Sequence, residues 1–187
     1  MPRRTAASDA HDNLGAYLNE HYLGSEGGLR AFRAAADTWE GTPQEQSFRA
    51  LVDEIARDRR DLARIIRQVG HRPAPWKRLL TGLVAAIGRL GPYNLLRRRR
   101  GSMAQLELDV LTGAVRSKLS MWDALLAIEQ TDARLDAALL RDLRARAVEQ
   151  IDVLQELSVA TAGERFAAGG RHASQRPAPK PDPDPAL

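Results

Sequence analysis

The chain has 187 residues, a formal net charge of +4 and no cysteine. The lack of cysteine excludes disulfide bonds, zinc–thiolate sites and iron–sulfur clusters. Ala, Leu and Arg are abundant and only 5% of the residues are aromatic, a composition that favours a single all-helical domain.

The N-terminal residues 1–11 include two arginines but no apolar run behind them. This pattern differs from that of a signal peptide, and we expect the segment to be disordered. No stretch of the sequence is apolar over the roughly 20 residues that a membrane-spanning helix needs. We therefore expect a cytoplasmic protein, with peripheral attachment to a membrane left open.

Apolar residues at three- and four-residue steps predict two long helices, over residues 13–40 and 43–69. Asp12 is suited to the N-cap of the first helix. Residues 42–45, Thr-Pro-Gln-Glu, are typical of a capping box with proline at the first helical position. The short link between the helices indicates an antiparallel hairpin.

The register of this hairpin pairs Trp39 with Phe48 and Phe32 with Ile55, and it places Asp58 beside Gly28. The middle of the first helix is rich in small residues, namely Gly24, Ser25, Gly27 and Gly28. Glycine inside a helix costs up to about 1 kcal/mol relative to alanine. We therefore expect that another backbone packs closely against this face, or that the helix is kinked there.

From Asp61 to Glu107 the sequence contains ten basic residues and no acidic residue between the two ends. We assign residues 71–101 to a crossover in which apolar steps from Trp76 predict a short amphipathic helix. One interpretation is a helix that caps the bundle with its arginines in solvent. The other is contact with an anionic membrane surface or an acidic protein. The candidate contact residues are Trp76, Lys77, Arg78, Arg89, Arg97, Arg98, Arg99 and Arg100.

The same periodicity predicts two further helices, over residues 103–130 and 133–161, joined by a short turn. Beyond them, in residues 163–187, proline occupies every second position from Pro177 to Pro185, which favours an extended and disordered tail. Two hairpins joined by a long crossover predict an all-α, ferritin-like four-helix bundle over residues 12–162. In such a bundle, polar side chains of facing helices meet in the middle.

Three segments occur in the order LNEHYLGSEGGL, ELDVLTGAVRSKLSMWDAL and RAVEQIDVLQEL. Together they resemble uncharacterised bacterial ferritin-like proteins over residues 12–162. The resemblance implies the four-helix fold, and it implies no assigned activity.

A ferritin-like di-iron site takes a Glu from each of two helices and Glu-x-x-His from each of the other two. Here Arg57 follows Glu54 and Asp152 follows Glu149 at the histidine positions. Both ligand histidines are missing, and we do not expect an oxygen-activating di-iron site. An alternative is an iron or manganese site made of carboxylates. Its candidate ligands are Glu20, Glu26, Asp58 and Glu107.

Five polar residues fall on or beside the inward stripes of the predicted helices. They are His21, Ser25, Asp58, Lys118 and Gln150. A buried charge needs a partner, because an unpaired one costs several kcal/mol. We predict that Asp58 pairs with Lys118 or with a neighbouring polar group, which fills the space a metal would occupy and fixes the helix register.

The leading hypothesis for function is a non-enzymatic interaction or scaffold protein that uses its basic crossover. The first alternative is a metal-binding or redox protein that uses the mid-bundle carboxylates with His21. Weak nucleic-acid binding is a third, which the scarcity of stacking aromatic residues disfavours. A homodimer through the small-residue face of the first helix is a further hypothesis. No Gly-x-Ser-x-Gly elbow or phosphate-binding glycine loop supports nucleophilic catalysis.

Overall fold

A computed structural model of the chain describes residues 6–75 and 101–167. Within these ranges the backbone is helical and contains no strand, which confirms the all-α prediction. The helices are α1 (Ala6–Thr38), α2 (Glu45–Gln68), α3 (Gly101–Ile128) and α4 (Ala137–Phe166), with a 3-10 turn at Glu129–Thr131 between α3 and α4.

The four helices form two hairpins that pack side by side. Helix α1 contacts α2 and α3, while α4 contacts α3 and α2. The turn between α3 and α4 lies beside the end of α2, where Arg134 Nη1 donates to the carbonyl of Val69 at 2.7 Å. Helix α3 therefore runs in the same direction as α2, and α4 in the same direction as α1.

One continuous core draws apolar side chains from all four helices. Its largest fully buried members include Phe32 on α1, Phe48 on α2, Trp122 on α3 and Leu154 on α4. Each such side chain stabilises the fold by about 1.5–3 kcal/mol relative to an exposed one. At the first turn Trp39 stacks on Phe48 with ring centroids 5.4 Å apart, as the hairpin register predicts.

The start of α1 corrects the sequence prediction. Residues 6–11 were expected to be disordered, but α1 already includes them, and Asp12 lies inside the helix rather than at its N-cap. The physical reason is a tertiary contact at the end of the bundle. The ring of His11 stacks on that of His71, just after α2, with centroids 4.2 Å apart. This contact gives the extra turns of α1 a packing partner.

The start of α2 also differs from the prediction. Thr42 does not cap the helix, because its Oγ1 donates to the carbonyl of Trp39 at 2.6 Å. The Glu45 carboxylate accepts from the backbone N–H of Gly41 at 2.7 Å. These bonds close the turn onto the end of α1, and α2 begins at Glu45 rather than at residue 43.

The fourth helix is displaced toward the C-terminus by a better N-cap than the predicted one. The Asp136 carboxylate accepts from the backbone N–H groups of Ala138 and Leu139, at 2.9 and 3.1 Å. Two N–H groups that the helix leaves without internal partners are thereby satisfied. Helix α4 consequently begins at Ala137 instead of residue 133, and it continues to Phe166 instead of ending at residue 161.

Several predictions concern residues 1–5, 76–100 and 168–187, which lie outside the described residues. They are the disorder expected at the N-terminus, the amphipathic crossover helix, the proline-rich tail, and the contact residues Trp76, Lys77, Arg78, Arg89, Arg97, Arg98, Arg99 and Arg100. In the part of the chain that is described, none of the helices combines the length and hydropathy of a membrane span.

Candidate functional site

A hydrogen-bonded polar layer crosses the middle of the bundle at Asp58. Lys118 Nζ on α3 donates to Asp58 Oδ2 on α2 and to Gln150 Oε1 on α4, both at 2.5 Å. Gln150 Nε2 also donates to Asp58 Oδ2 at 3.2 Å. Three helices are thus joined through three side chains, and the predicted pairing of Asp58 with Lys118 is confirmed.

Asp58 forms an ion pair with a second cation, Arg146. Arg146 on α4 places Nη2 3.3 Å from Asp58 Oδ1 and 3.0 Å from Asp61 Oδ2. Gln150 Nε2 reaches Glu54 Oε2 at 3.1 Å. Asp58 is only 2% exposed, and two cations offset the cost of burying its charge.

Sequence reasoning missed Arg146, Asp61 and Glu54 as members of this layer. Helical spacing was the available signal. Asp61 follows Asp58 by three residues, and Arg146 precedes Gln150 by four, so each pair shares one helix face. Neither pair falls entirely on an apolar stripe, which is why the stripes alone did not select them.

The environment of Lys118 acts on its charge in two opposing ways. Burial lowers the pKa of its ammonium group, while the charge and hydrogen bond of Asp58 act in the opposite direction without cancelling the effect. The Lys118 side chain is 16% exposed, so it is accessible from one side. A lysine in this condition is closer to losing its proton than an ordinary surface lysine.

Lys118 lines a half-open cavity of about 520 Å³ between α1, α2 and α3. Its apolar walls are Phe32, Ile55, Leu62, Val115, Met121 and Trp122. Ligand cavities in proteins span about 300–1,000 Å³ and combine mostly apolar walls with a few polar groups. In volume and in lining, this cavity has the properties of a small-molecule site.

The small residues of α1 create this space. Gly24, Ser25 and Gly28 line the cavity, and a Cβ atom built at Gly28 would meet nothing within 4 Å. Of the two alternatives for this segment, a close backbone contact and a kink, the first is wrong at Gly28. Asp58 lines the same cavity, so its predicted position next to the small-residue segment is confirmed.

His21 and Ser25 also line the cavity, but their recorded contacts are local to α1. Ser25 Oγ donates to the carbonyl of Tyr22 at 2.7 Å. The His21 ring meets Tyr17 edge-on, with centroids 4.7 Å apart. Burial lowers the pKa of His21, which favours the neutral imidazole. Of the five residues predicted to form one layer, Asp58, Lys118 and Gln150 are hydrogen-bonded to one another. The other two, His21 and Ser25, line the cavity.

The four carboxylates of the alternative metal site are not brought together. Within residues 6–75 and 101–167, no three His, Asp or Glu side chains are placed to hold a metal ion. Glu26 pairs with Arg59 at 3.1 Å and with Arg30 at 3.2 Å. Glu107 precedes Lys118 by eleven residues on the same helix, a separation of about 16 Å along the axis. Glu20 and Asp58 both line the cavity, but among the described residues no third carboxylate or histidine joins them as a metal ligand.

Comparison of the chain with protein-family models, with curated proteins and with solved structures found no match.

Proposed function

We propose that this protein binds a small apolar molecule in the cavity between α1, α2 and α3. The observation that carries the proposal is the cavity of about 520 Å³, which has apolar walls and a charged, hydrogen-bonded layer at one side. A half-open space of this size beside the core forgoes dispersion contacts that larger side chains on α1 would make. A ligand restores those contacts.

The fold in this proposal is the ferritin-like bundle that the sequence resemblance implies. Support comes from the order of the helices, because α2 and α3 run in the same direction while each hairpin is antiparallel. A bundle with one long crossover between its second and third helices has this order. Ferritin-like bundles also build their sites from side chains on facing helices, as the polar layer around Asp58 does.

The test compares two leucine substitutions in the full-length chain. Gly28→Leu fills the cavity from α1. Gly113→Leu is the matched control on α3, because Gly113 is exposed, lies outside the cavity lining, and has nothing within 4 Å of a built Cβ. The probe is N-phenyl-1-naphthylamine, an uncharged dye whose fluorescence rises in apolar surroundings. Circular dichroism establishes that both variants fold.

We expect saturable binding of one dye molecule to the native chain and to Gly113→Leu, and at least a tenfold loss of affinity in Gly28→Leu. The loss follows because a leucine side chain would occupy the space that the dye needs. The proposal is abandoned if the native chain does not bind the dye, or if Gly28→Leu binds it as well as Gly113→Leu does.

A second candidate function is favoured by the charge pattern of the sequence. Ten basic residues between Asp61 and Glu107, with no acidic residue among them, suit a peripheral scaffold that contacts an anionic membrane surface or an acidic protein. Vesicles containing phosphatidylglycerol test the membrane form of this proposal. Binding should fall steeply between 0.05 and 0.5 M salt, because the Debye length shortens below about 10 Å. Replacing Arg97, Arg98, Arg99 and Arg100 with Gln should weaken it.

A further inference from the structure

Lysine is rare in this chain, and one lysine lies at the cavity. The sequence has 28 Lys and Arg residues, of which only Lys77, Lys118 and Lys180 are lysines. Arginine would present a planar fork of five donors, whereas lysine presents three N–H donors at a single nitrogen. At residue 118 the chain therefore places a compact donor that can serve several acceptors around one point.

Two of the three N–H donors of Lys118 have acceptors in the polar layer, Asp58 Oδ2 and Gln150 Oε1. Lys118 also lines the cavity. Because the Lys118 side chain is 16% exposed and lines the cavity, its third N–H is the donor left for a molecule bound there. A ligand that covers Nζ needs an acceptor at this end, because a donor that is cut off from water and left unmet costs free energy.

The charges around Lys118 disfavour an ionised ligand. A carboxylate on Nζ would lie close to Asp58, whose oxygen is already 2.5 Å from that nitrogen, and Glu20 also lines the cavity. The other cation of the lining, Arg59, is paired with Glu26 and lies over the Tyr22 ring. An ammonium ligand would instead meet Lys118 itself. Like charges at short range repel, and the repulsion grows when a bound ligand displaces the water between them.

The apolar walls suit an apolar ligand body, and the free N–H of Lys118 calls for an acceptor at one end of it. A carbonyl oxygen only accepts, whereas a hydroxyl group also brings a donor that needs a partner of its own. We propose that the ligand is an uncharged apolar molecule whose carbonyl oxygen accepts a hydrogen bond from Lys118 Nζ. This inference rests on the proposed function, since it assigns the ligand class of the same cavity.

Three naphthalenes with one ring body and different end groups test the ligand class. They are 2-acetylnaphthalene, its hydrocarbon isostere 2-isopropenylnaphthalene, and 2-naphthoate. Each displaces N-phenyl-1-naphthylamine from the full-length native chain, and its Kd is taken from the displacement curve. We expect the ketone to bind about tenfold more tightly than the hydrocarbon, because it gains a hydrogen bond to a charged donor. The carboxylate should bind most weakly.

The variant that removes the donor is Lys118→Met/Asp58→Asn, which deletes both charges together so that neither is left unpaired. We expect the ratio of hydrocarbon Kd to ketone Kd to fall about tenfold in this variant. It should stay unchanged in Gly113→Leu. Dye binding and circular dichroism establish that the variant still folds around a cavity. If it does not, Lys118→Met alone takes its place, because Arg146 and Gln150 still contact Asp58 there.

The outcomes separate this inference from the proposed function. If the dye does not bind the native chain, the cavity proposal itself fails. If the dye binds but the ketone shows no advantage over the hydrocarbon, the ligand class is wrong and the cavity proposal stands. The class is equally wrong if 2-naphthoate binds most tightly, or if the ketone keeps its advantage after Lys118 is replaced.

Discussion

The two sides of Asp58 are built differently. On the α4 side, Gln150 and Arg146 close against the carboxylate, and Gln150 is only 1% exposed. On the α1 side, at the same level of the bundle, glycines and a serine leave a cavity of about 520 Å³. A layer that served stability alone would be packed on both sides. Helix α4 anchors the charges, while α1 leaves the space that the proposed ligand would occupy.

A similar contrast occurs along α1 itself. At Gly15 there is no space for a side chain, because a built Cβ would lie 2.3–2.5 Å from atoms of the His71 ring. At Gly28 a built Cβ meets nothing within 4 Å. Glycine thus has opposite roles at two positions of one helix, and substitutions at the two positions test the comparison directly.

The largest expected effect comes from the packed side. Asp58→Ala leaves the ammonium of Lys118 buried without its carboxylate, and Arg146 loses one of its two acidic partners. Breaking a buried pair from one side costs about 3–5 kcal/mol of unfolding free energy. Urea denaturation measures the loss. Asp53→Ala, at an exposed position of the same helix, should cost less than about 0.5 kcal/mol. Equal effects of the two substitutions would show that the layer does not stabilise the fold.

Gly15→Ala should have the next largest effect. The new methyl group displaces the His71 ring. That ring stacks on the ring of His11, and its Nε2 lies 3.1 Å from the backbone carbonyl oxygen of His11. Overpacking of this kind costs about 1–3 kcal/mol, and the better helix propensity of alanine offsets up to about 1 kcal/mol of that cost. In a His71→Ala background the same substitution should cost much less, since the clash is gone. A double-mutant cycle by urea denaturation measures this coupling, and simple additivity of the two substitutions would contradict the described packing.

Gly28→Ala should act in the opposite direction. The added methyl group enters open space, and alanine loses less backbone entropy than glycine when the helix forms. We expect a gain of about 0.5–1 kcal/mol in unfolding free energy. Thermal and urea unfolding beside Gly15→Ala give the comparison. A destabilised Gly28→Ala would mean that the space at Gly28 is filled in the folded protein.

Much of the fold could be predicted from hydrophobic periodicity. The stripes predicted four helices and placed Asp58 next to Lys118, because inward positions on helices at the same level must meet. The ends of the helices were harder. Aspartate is suited to an N-cap, and both Asp12 and Asp136 stand near a predicted helix start. Of these two residues, Asp136 caps a helix and Asp12 does not. The contact between His11 and His71 decides the first case, and a contact sixty residues apart leaves no local signal.

The cavity could not have been predicted from the same pattern. Small residues at Gly24, Ser25 and Gly28 are compatible with a close helix contact and with an empty space, because a stripe records which face is inward and not how far away its neighbour lies. Arg146 was missed for a related reason. Its long apolar stem lets a charged residue reach an inward layer from the edge of the stripe.

The smallest expected effect is a pH dependence of the unfolding free energy. It shows whether burial or the ion pair with Asp58 has the greater influence on the pKa of Lys118. Burial lowers the pKa of Lys118 in the folded protein below its ordinary value of 10.5, and the Asp58 charge opposes that shift. Between the folded-state pKa and 10.5, the unfolded chain binds more protons than the folded one. The unfolding free energy should therefore rise with pH across that window. Below the folded-state pKa both states carry the proton, and Lys118 contributes no slope.

Urea denaturation of the native chain and of Lys118→Met/Asp58→Asn, from pH 8 to 10.5, isolates this contribution as the difference between the two curves. The native chain should gain stability relative to the variant as pH rises. A difference that falls instead would mean that the Asp58 ion pair outweighs burial and raises the pKa of Lys118. The polar layer would then behave as a well-solvated salt bridge.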